Sequence, residues 1–187
     1  SNGWLRIPNP YNPGNDARFA DWRRHGEMNL REAIAFSSNV YFFIIGGGLP
    51  EIAVPQAGLT RPFTGVGISA IARTMRSFGL GKPTGIAVGT EAVGTIPDPA
   101  WKQEVFNDDW RLGDTYNTAI GQFGFQVTPL QMVRAYAALA TGGRLVTPHV
   151  LKDEQGAVTN LSLDPDALAV VHDGMRMAVN YDGGTAR

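Results

Sequence analysis

The sequence contains no cysteine. That absence excludes disulfides, thiol nucleophiles and thiolate metal sites together. Charge is also sparse: 18% of the 187 residues are charged, the net charge is −1, and there is neither a basic block nor an acidic tail. Nothing in that distribution points to nucleic acid or to an anionic membrane surface, so no nucleic-acid partner is expected. Long apolar runs are missing. The longest, Val40 to Pro50, is too short to span a bilayer and carries a triple glycine. No cationic start leads into an apolar stretch, so no signal peptide is expected and the chain reads as soluble. The three histidines, His25, His149 and His172, lack metal-ligand spacing and read as solvated or structural. No metal and no cofactor is expected.

What is present is enough for a core. The hydrophobic fraction is 43%, and the length suits one domain or most of one. The first thirty residues are rich in turn formers, with Trp4, Tyr11, Phe19 and Trp22 available to order them. Asn29 then reads as the N-cap of a helix over "LREAIAF", and the apolar run "VYFFII" stops at Gly46-Gly47-Gly48. Ile68, Ile71, Met75 and Phe78 follow helical spacing between 65 and 78, and Gly79 and Gly81 end that helix. Residues 84–89 form a strand candidate, and 91–117 a long irregular connection.

The clearest helix begins at "VTPLQ", with Thr128 as N-cap, Pro129 in the first position and Gln131 completing a capping box. Its expected apolar stripe is Leu130, Val133, Ala137 and Ala140, ended by Gly142-Gly143. An extended segment broken at Pro148, a turn and strand over 155–163, and a last helix from Pro165 complete the pattern. That last helix should carry Leu168, Val171, Met175 and Val179 on one face. The reading is mostly helical with a few short strands.

Several motifs invite chemistry and are explained more simply. The acidic pairs Asp108-Asp109, Asp153-Glu154 and Asp164/Asp166 fit turns and helix starts, with Asp164 an N-cap before Pro165. "GLGKPTG" is neither a phosphate loop nor a Lys-Thr-Gly triad, because Pro83 follows Lys82; a helix stop leading into a strand explains it. Ser37-Ser38-Asn39, taken by itself, fits helix caps better than a site.

Its neighbours change that balance. "LREAIAFSSNVYFF", "FGLGKPTGI", "IPDPAWK", the "GDTYNTAIGQ" block, "VTPLQMVRAYAALATGGRLVTPHV" and "GGTAR" occur in that order. Together they resemble the transpeptidase domain of class B penicillin-binding proteins of the cell-elongation type, over nearly the whole chain. The resemblance implies an α+β, β-lactamase-like fold, here mainly its helical lobe, with the sheet strands that carry Lys-Thr-Gly missing. In that family three motifs build the site: Ser-x-x-Lys, Ser-x-Asn and Lys-Thr-Gly.

Ser37-Ser38-Asn39 matches the second motif. The resemblance implies that the Ser37 hydroxyl relays a proton and that the Asn39 amide holds bound peptide or β-lactam, with Ser38 the variable middle residue, a lesser substrate contact. Gly121 and Gln122 fall in the family's Gly-Gln-Gly loop, where Phe123 displaces the second glycine; a structural role fits them as well as a binding one. The lysines, Lys82, Lys102 and Lys152, complete neither of the other motifs. The chain is therefore expected to be the middle of a catalytic domain, 1–187, that is inactive alone.

The resemblance further implies peptidoglycan stem peptides and β-lactams as ligands, a SEDS-type glycosyltransferase as partner, and an extracytoplasmic position on a membrane-anchored parent. The alternatives are a β-lactam sensor, a β-lactamase relative, or a non-catalytic scaffold module of the same fold.

Overall fold

The computed structural model describes all residues except 1, 2, 10 and 54–60, so Pro10 of the turn-rich opening lies outside the described residues. The chain divides into two compact units: Ser1–Ile68 with Trp110–Gln122 and Val170–Arg187, and Ser69–Asp109 with Phe123–Ala169. No helix among the described residues is long and apolar enough to cross a membrane.

The first unit opens with a hairpin that the sequence did not announce. Strands β1 (Trp4–Ile7) and β2 (Ala17–Ala20) pair antiparallel, with Leu5 opposite Phe19 and Arg6 opposite Arg18. The alternation expected of a half-buried strand is there, but only four residues long: Leu5 and Ile7 are buried and Arg6 is exposed. On the outer face the two arginines stack on Trp4, 4.9 and 5.7 Å from its ring centre, which offsets the juxtaposition of like charges.

Helices α1 (Leu30–Ala35) and α2 (Asn39–Gly47) follow. Asn29 caps α1 as expected, in a reciprocal box with Glu32. The core of this unit gathers Leu5, Ile7, Val40, Phe43, Leu49, Ala53 and Tyr116, with Phe19 packed edge-on to Phe43 and Tyr116 at 5.7 and 4.9 Å. Each such large apolar side chain contributes about 1.5–3 kcal/mol on burial.

Tyr116 belongs to a helix (Leu112–Ala119) in a stretch expected to be irregular. A second helix lies in that same stretch, in the other unit, at Pro99–Phe106, so the expectation for 91–117 is corrected. In chain order α3 is Gly67–Ser77, α4 is Pro99–Phe106 and α5 is Leu112–Ala119. The physical reason for α4 is a start signal: Asp98 accepts from the Trp101 amide at 2.9 Å, and Pro99 occupies the first turn.

The second unit packs Ala72, Leu80, Ile96 and Ala135 into its core. Helix α6 (Pro129–Ala140) has the expected Thr128 cap and Gln131 box, but its buried face is Gln131, Ala135 and Ala138. The expected stripe is wrong: Val133 is 65% exposed, and Ala137 and Ala140 also face outward. A buried glutamine was invisible to an apolar count. Gln131 is only 1% exposed because every polar atom of its amide is used. Its Nε2 donates to the Lys82 and Val93 carbonyls, both at 2.8 Å, and its Oε1 accepts from the Thr128 amide at 2.9 Å.

Strands β3 (Arg144–Val146) and β4 (Val158–Asn160) pair antiparallel, as the extended segments suggested. The strand expected at 84–89 is absent. Its amides are taken by a side chain: Glu91 accepts from Thr84 N and Oγ1 at 2.8 and 2.6 Å and from Gly85 N at 2.8 Å. With those donors satisfied locally, no ladder forms.

Helix α7 (Pro165–Asn180) starts at the Asp164 cap. Of its expected apolar face, Leu168, Val171 and Met175 are half-buried and Val179 is exposed. Gly174 is its buried residue, pressed against Ile34 of α1.

Candidate functional site

Ser37, Ser38 and Asn39 link α1 to α2, and each has a different environment. Helix α1 ends in two backbone bonds, Ser37 N to Ile34 O at 3.3 Å and Ser38 N to Ala33 O at 3.1 Å. That pair defines a Schellman ending, in which the residue after the C-cap adopts left-handed backbone and is usually glycine. Here it is Ser37, with φ +53°, and it is exposed. A β-carbon in that conformation costs about 1–2 kcal/mol.

Ser38 is the N-cap of α2, accepting from the Tyr41 amide at 3.3 Å. It is 1% exposed, and its hydroxyl donates to Asp21 Oδ2 at 2.7 Å. Ser38 therefore has no surface to offer a ligand. Asn39 opens α2 and is half-buried; its Nδ2 makes one long bond to the Ala20 carbonyl at 3.4 Å. Ser37 Oγ and Asn39 Oδ1 make no hydrogen bond among the described residues. The motif thus presents its two outer residues and anchors its middle one.

The anchor is Asp21, which sequence reasoning passed over. Besides Ser38, its carboxylate accepts from the amides of Asn39 and Val40, each at 3.1 Å, and of Trp22 at 2.9 Å. The adjacent Trp22 donates its indole N–H to the carbonyls of Phe36 and Ser37, at 3.0 and 3.1 Å. His25 lies behind them, its ring between Trp22 and Phe36, with Nε2 3.4 Å from Asp21 Oδ1. Trp22 was legible only as an aromatic that orders the segment and His25 only as a solvated or structural histidine; nothing marked Asp21, because an acid in a turn-rich segment has no periodicity.

Gly121 and Gln122 form a turn after α5 and are exposed, with Gln122 N bonded to Asn117 O at 2.9 Å. No hydrogen bond joins them to Ser37–Asn39 among the described residues. Phe123, the residue that departs from the family loop, has φ +59°, so the side chain sits on backbone suited to the glycine it replaces. Among the described residues no group of three or more His, Cys, Asp or Glu is arranged to hold a metal ion.

Comparisons with known proteins identify the family to which the chain belongs. Residues 7–187 match the family model described as the penicillin binding protein transpeptidase domain. The peptidoglycan D,D-transpeptidase MrdA of Haemophilus influenzae is 32% identical over 94% of this chain and 26% of its own length. The chain therefore spans about a quarter of that relative. A solved complex between penicillin-binding protein PBP2 and MreC from Helicobacter pylori superposes with a TM-score of 0.76, at 34% identity, over 97% of this chain and 31% of that one. A chain from a structure of a peptidoglycan synthase complex that coordinates polymerization and crosslinking gives 0.68, at 31% identity, over 88% and 26%. The chain belongs to the penicillin-binding protein transpeptidase domain family, has that fold, and is similar within it to the PBP2/MrdA type.

Proposed function

We propose that this chain supplies the Ser-x-Asn part of a peptidoglycan D,D-transpeptidase that cross-links stem peptides through an acyl-serine intermediate and is acylated by β-lactams. The observation that carries the proposal is the backbone at Ser37. An exposed serine occupies a left-handed helix ending where glycine would be less strained, φ +53°. Strain retained at this solvent-facing serine, inside the Ser-x-Asn match, supports a functional constraint there.

In this reading the acylating serine attacks the carbonyl carbon of the donor peptide or lactam, and its proton passes to a general base. The Ser37 hydroxyl donates a proton to the departing amine nitrogen and is reprotonated from the base, since a hydroxyl donates and accepts at once. The Asn39 amide, half-buried at the head of α2, hydrogen-bonds the bound peptide. Ser38 moves from substrate contact to support, since its hydroxyl is bonded to Asp21 and to the Tyr41 amide. Gly121 and Gln122 contribute an exposed turn to the substrate.

The nucleophile and the Lys-Thr-Gly segment are supplied in this reading by chain beyond these residues, because neither motif occurs in the sequence. An acyl-transfer site needs nucleophile, base and oxyanion donors together, so the chain alone is inactive. The structures of PBP2 with MreC and of a peptidoglycan synthase complex support assembly of the parent with cell-wall machinery. In this reading the partner is a SEDS-type glycosyltransferase and the parent acts on the extracytoplasmic side. Labelling with a fluorescent penicillin tests the reading. No label is expected on the 187-residue chain, and stoichiometric label on the full-length protein that contains it. A labelled fragment would show that the nucleophile lies within it.

A further inference from the structure

We propose that Asp21 is a positioning residue of this site: its buried carboxylate, carried in by the β1–β2 hairpin, holds the helix start from which Ser37 and Asn39 project. The inference rests on the transpeptidase reading above and names the device that sets its geometry.

Asp21 follows β2 directly, and its own N–H continues the ladder to Gly3 O at 2.9 Å. The hairpin is in turn fixed by Leu5, which is fully buried, and by Phe19 against Phe43 and Tyr116. The position of the carboxylate is therefore set by the core and not by the loop it serves. Its side chain is 0% exposed. Oδ2 accepts from Ser38 Oγ and Val40 N, and Oδ1 from Asn39 N and Trp22 N.

The first amides of a helix have no partner within it and carry the positive end of its dipole, so an anion there is favoured. An ordinary N-cap serves one such amide. Asp21 takes two, at Asn39 and Val40, and adds the cap hydroxyl itself.

Ser37 is then held from both sides. Its own carbonyl and that of Phe36 are bonded by the Trp22 indole, and the next residue is bonded by Asp21. Asn39 has its backbone on the carboxylate, and its half-buried side-chain amide makes one long bond to the Ala20 carbonyl, leaving Oδ1 unbonded among the described residues. A displacement of about 1 Å in a reacting group can lower a rate about 100-fold, so such a clamp affects turnover and not only folding.

The experiment uses the full-length protein that contains this chain. Acylation by a fluorescent penicillin is followed at increasing concentration, which separates the acylation rate constant from the dissociation constant of the first complex. Thermal unfolding midpoints are measured alongside. Asp21→Asn keeps the side-chain shape but presents an N–H₂ to one side of a donor cluster. Its acylation rate constant is expected to fall by about tenfold or more, with the dissociation constant changed by less than about threefold.

Tyr116→Phe serves as the stability control, because it removes a buried hydrogen bond to Gly48 O in the same unit without touching the turn. It should lower the midpoint and leave the acylation rate constant within about twofold. Should Asp21→Asn fail to fold, Ser38→Ala decides, since it cuts the same contact by removing one oxygen. A fall of about threefold or more in its acylation rate constant supports the proposal, and a wild-type value overturns it. Wild-type acylation by Asp21→Asn overturns it, as does an equal loss in Tyr116→Phe. Ser37→Ala separates the positioning role of Asp21 from the relay role of Ser37. If Ser37→Ala is impaired and Asp21→Asn is not, the positioning role fails alone. If Ser37→Ala acylates normally, the transpeptidase reading of the turn fails and this inference falls with it.

Discussion

Ser38 Oγ donates to Asp21 Oδ2 at 2.7 Å, a contact between two residues 17 positions apart in the chain. It joins the edge of a small hairpin to the junction of two helices. The consequence is a division of labour within three residues: the middle one is bonded inward, and Ser37 and Asn39 are left for other work. Ser38 closes α1 with its amide and opens α2 with its hydroxyl. A single residue therefore sets the angle at which both helices leave the turn.

Ser37→Gly should separate stability from activity. Glycine adopts φ near +53° without the steric cost of a β-carbon, which favours the folded chain by up to about 1 kcal/mol after its larger loss of backbone freedom is counted. The unfolding midpoint of the variant should rise or hold, while β-lactam acylation of the full-length protein falls by about 100-fold or more, in the range for loss of a proton-transfer group. A variant that loses stability would show that the left-handed backbone is not strained.

Ser38→Ala should cost stability. It removes the cap acceptor for the Tyr41 amide and leaves Asp21 without its hydroxyl donor. Loss of an N-cap costs about 0.5–2 kcal/mol. Chemical denaturation should show the decrease in the midpoint with little change in the denaturant slope.

Tyr116 gives an alkaline signature. Burial raises its phenol from the ordinary 10.0 to about 12, and its O–H donates to Gly48 O at 2.9 Å. The folded chain thus holds the proton more tightly than the unfolded one. The stabilisation from this group is complete below pH 10 and is lost as pH rises through about 12. Tyr116→Phe should abolish that part of the alkaline decline and lower stability near neutrality by about 1–2 kcal/mol, through the unsatisfied carbonyl it leaves. The measurement is unfolding free energy against pH for both proteins.

Glu91 gives the acid counterpart in the other unit. The Thr84 hydroxyl holds its carboxyl below the ordinary 4.5; burial opposes this, and the amides of Thr84, Gly85 and Ile86 add to it. Asp98 is depressed as well, burial being outweighed by the Trp101 amide and by Arg76, whose guanidinium lies 2.6 Å away. Both groups bind protons more weakly when folded. Their stabilisation is present above the ordinary carboxylate range and is lost as pH falls through the depressed values. Glu91→Gln should flatten the acid limb of the stability curve and increase amide exchange at Thr84 and Gly85. An unchanged acid limb would remove Glu91 from that role.

The parts of this fold that were legible in the sequence are those with local signals. Asn29 alone, and Thr128 with Pro129 and Gln131, gave two helix starts correctly because a cap is a contact between near neighbours. The same Asp-Pro signal occurs at Asp98-Pro99 and at Asp164-Pro165. It was read only at the second, because the first helix is eight residues long and its apolar residues show no clear stripe. Non-local features were hidden. The hairpin alternates over four residues a strand, the clasp on 84–85 depends on one glutamate, and the buried face of α6 includes a glutamine. At the site, the order of flanking blocks pointed to Ser37 and Asn39, while Asp21 could be found only once the hairpin had brought it to them.

The most direct test of the central claim, that Ser37 is the proton relay of an acyl-transfer site, is the acylation rate constant of Ser37→Ala in the full-length protein. Alanine leaves the Schellman ending and the Asp21 anchor in place and removes only the exposed oxygen. The expected result is a loss of about 100-fold or more at saturating fluorescent penicillin, with an unchanged unfolding midpoint. Acylation within about twofold of the wild-type rate would contradict the claim.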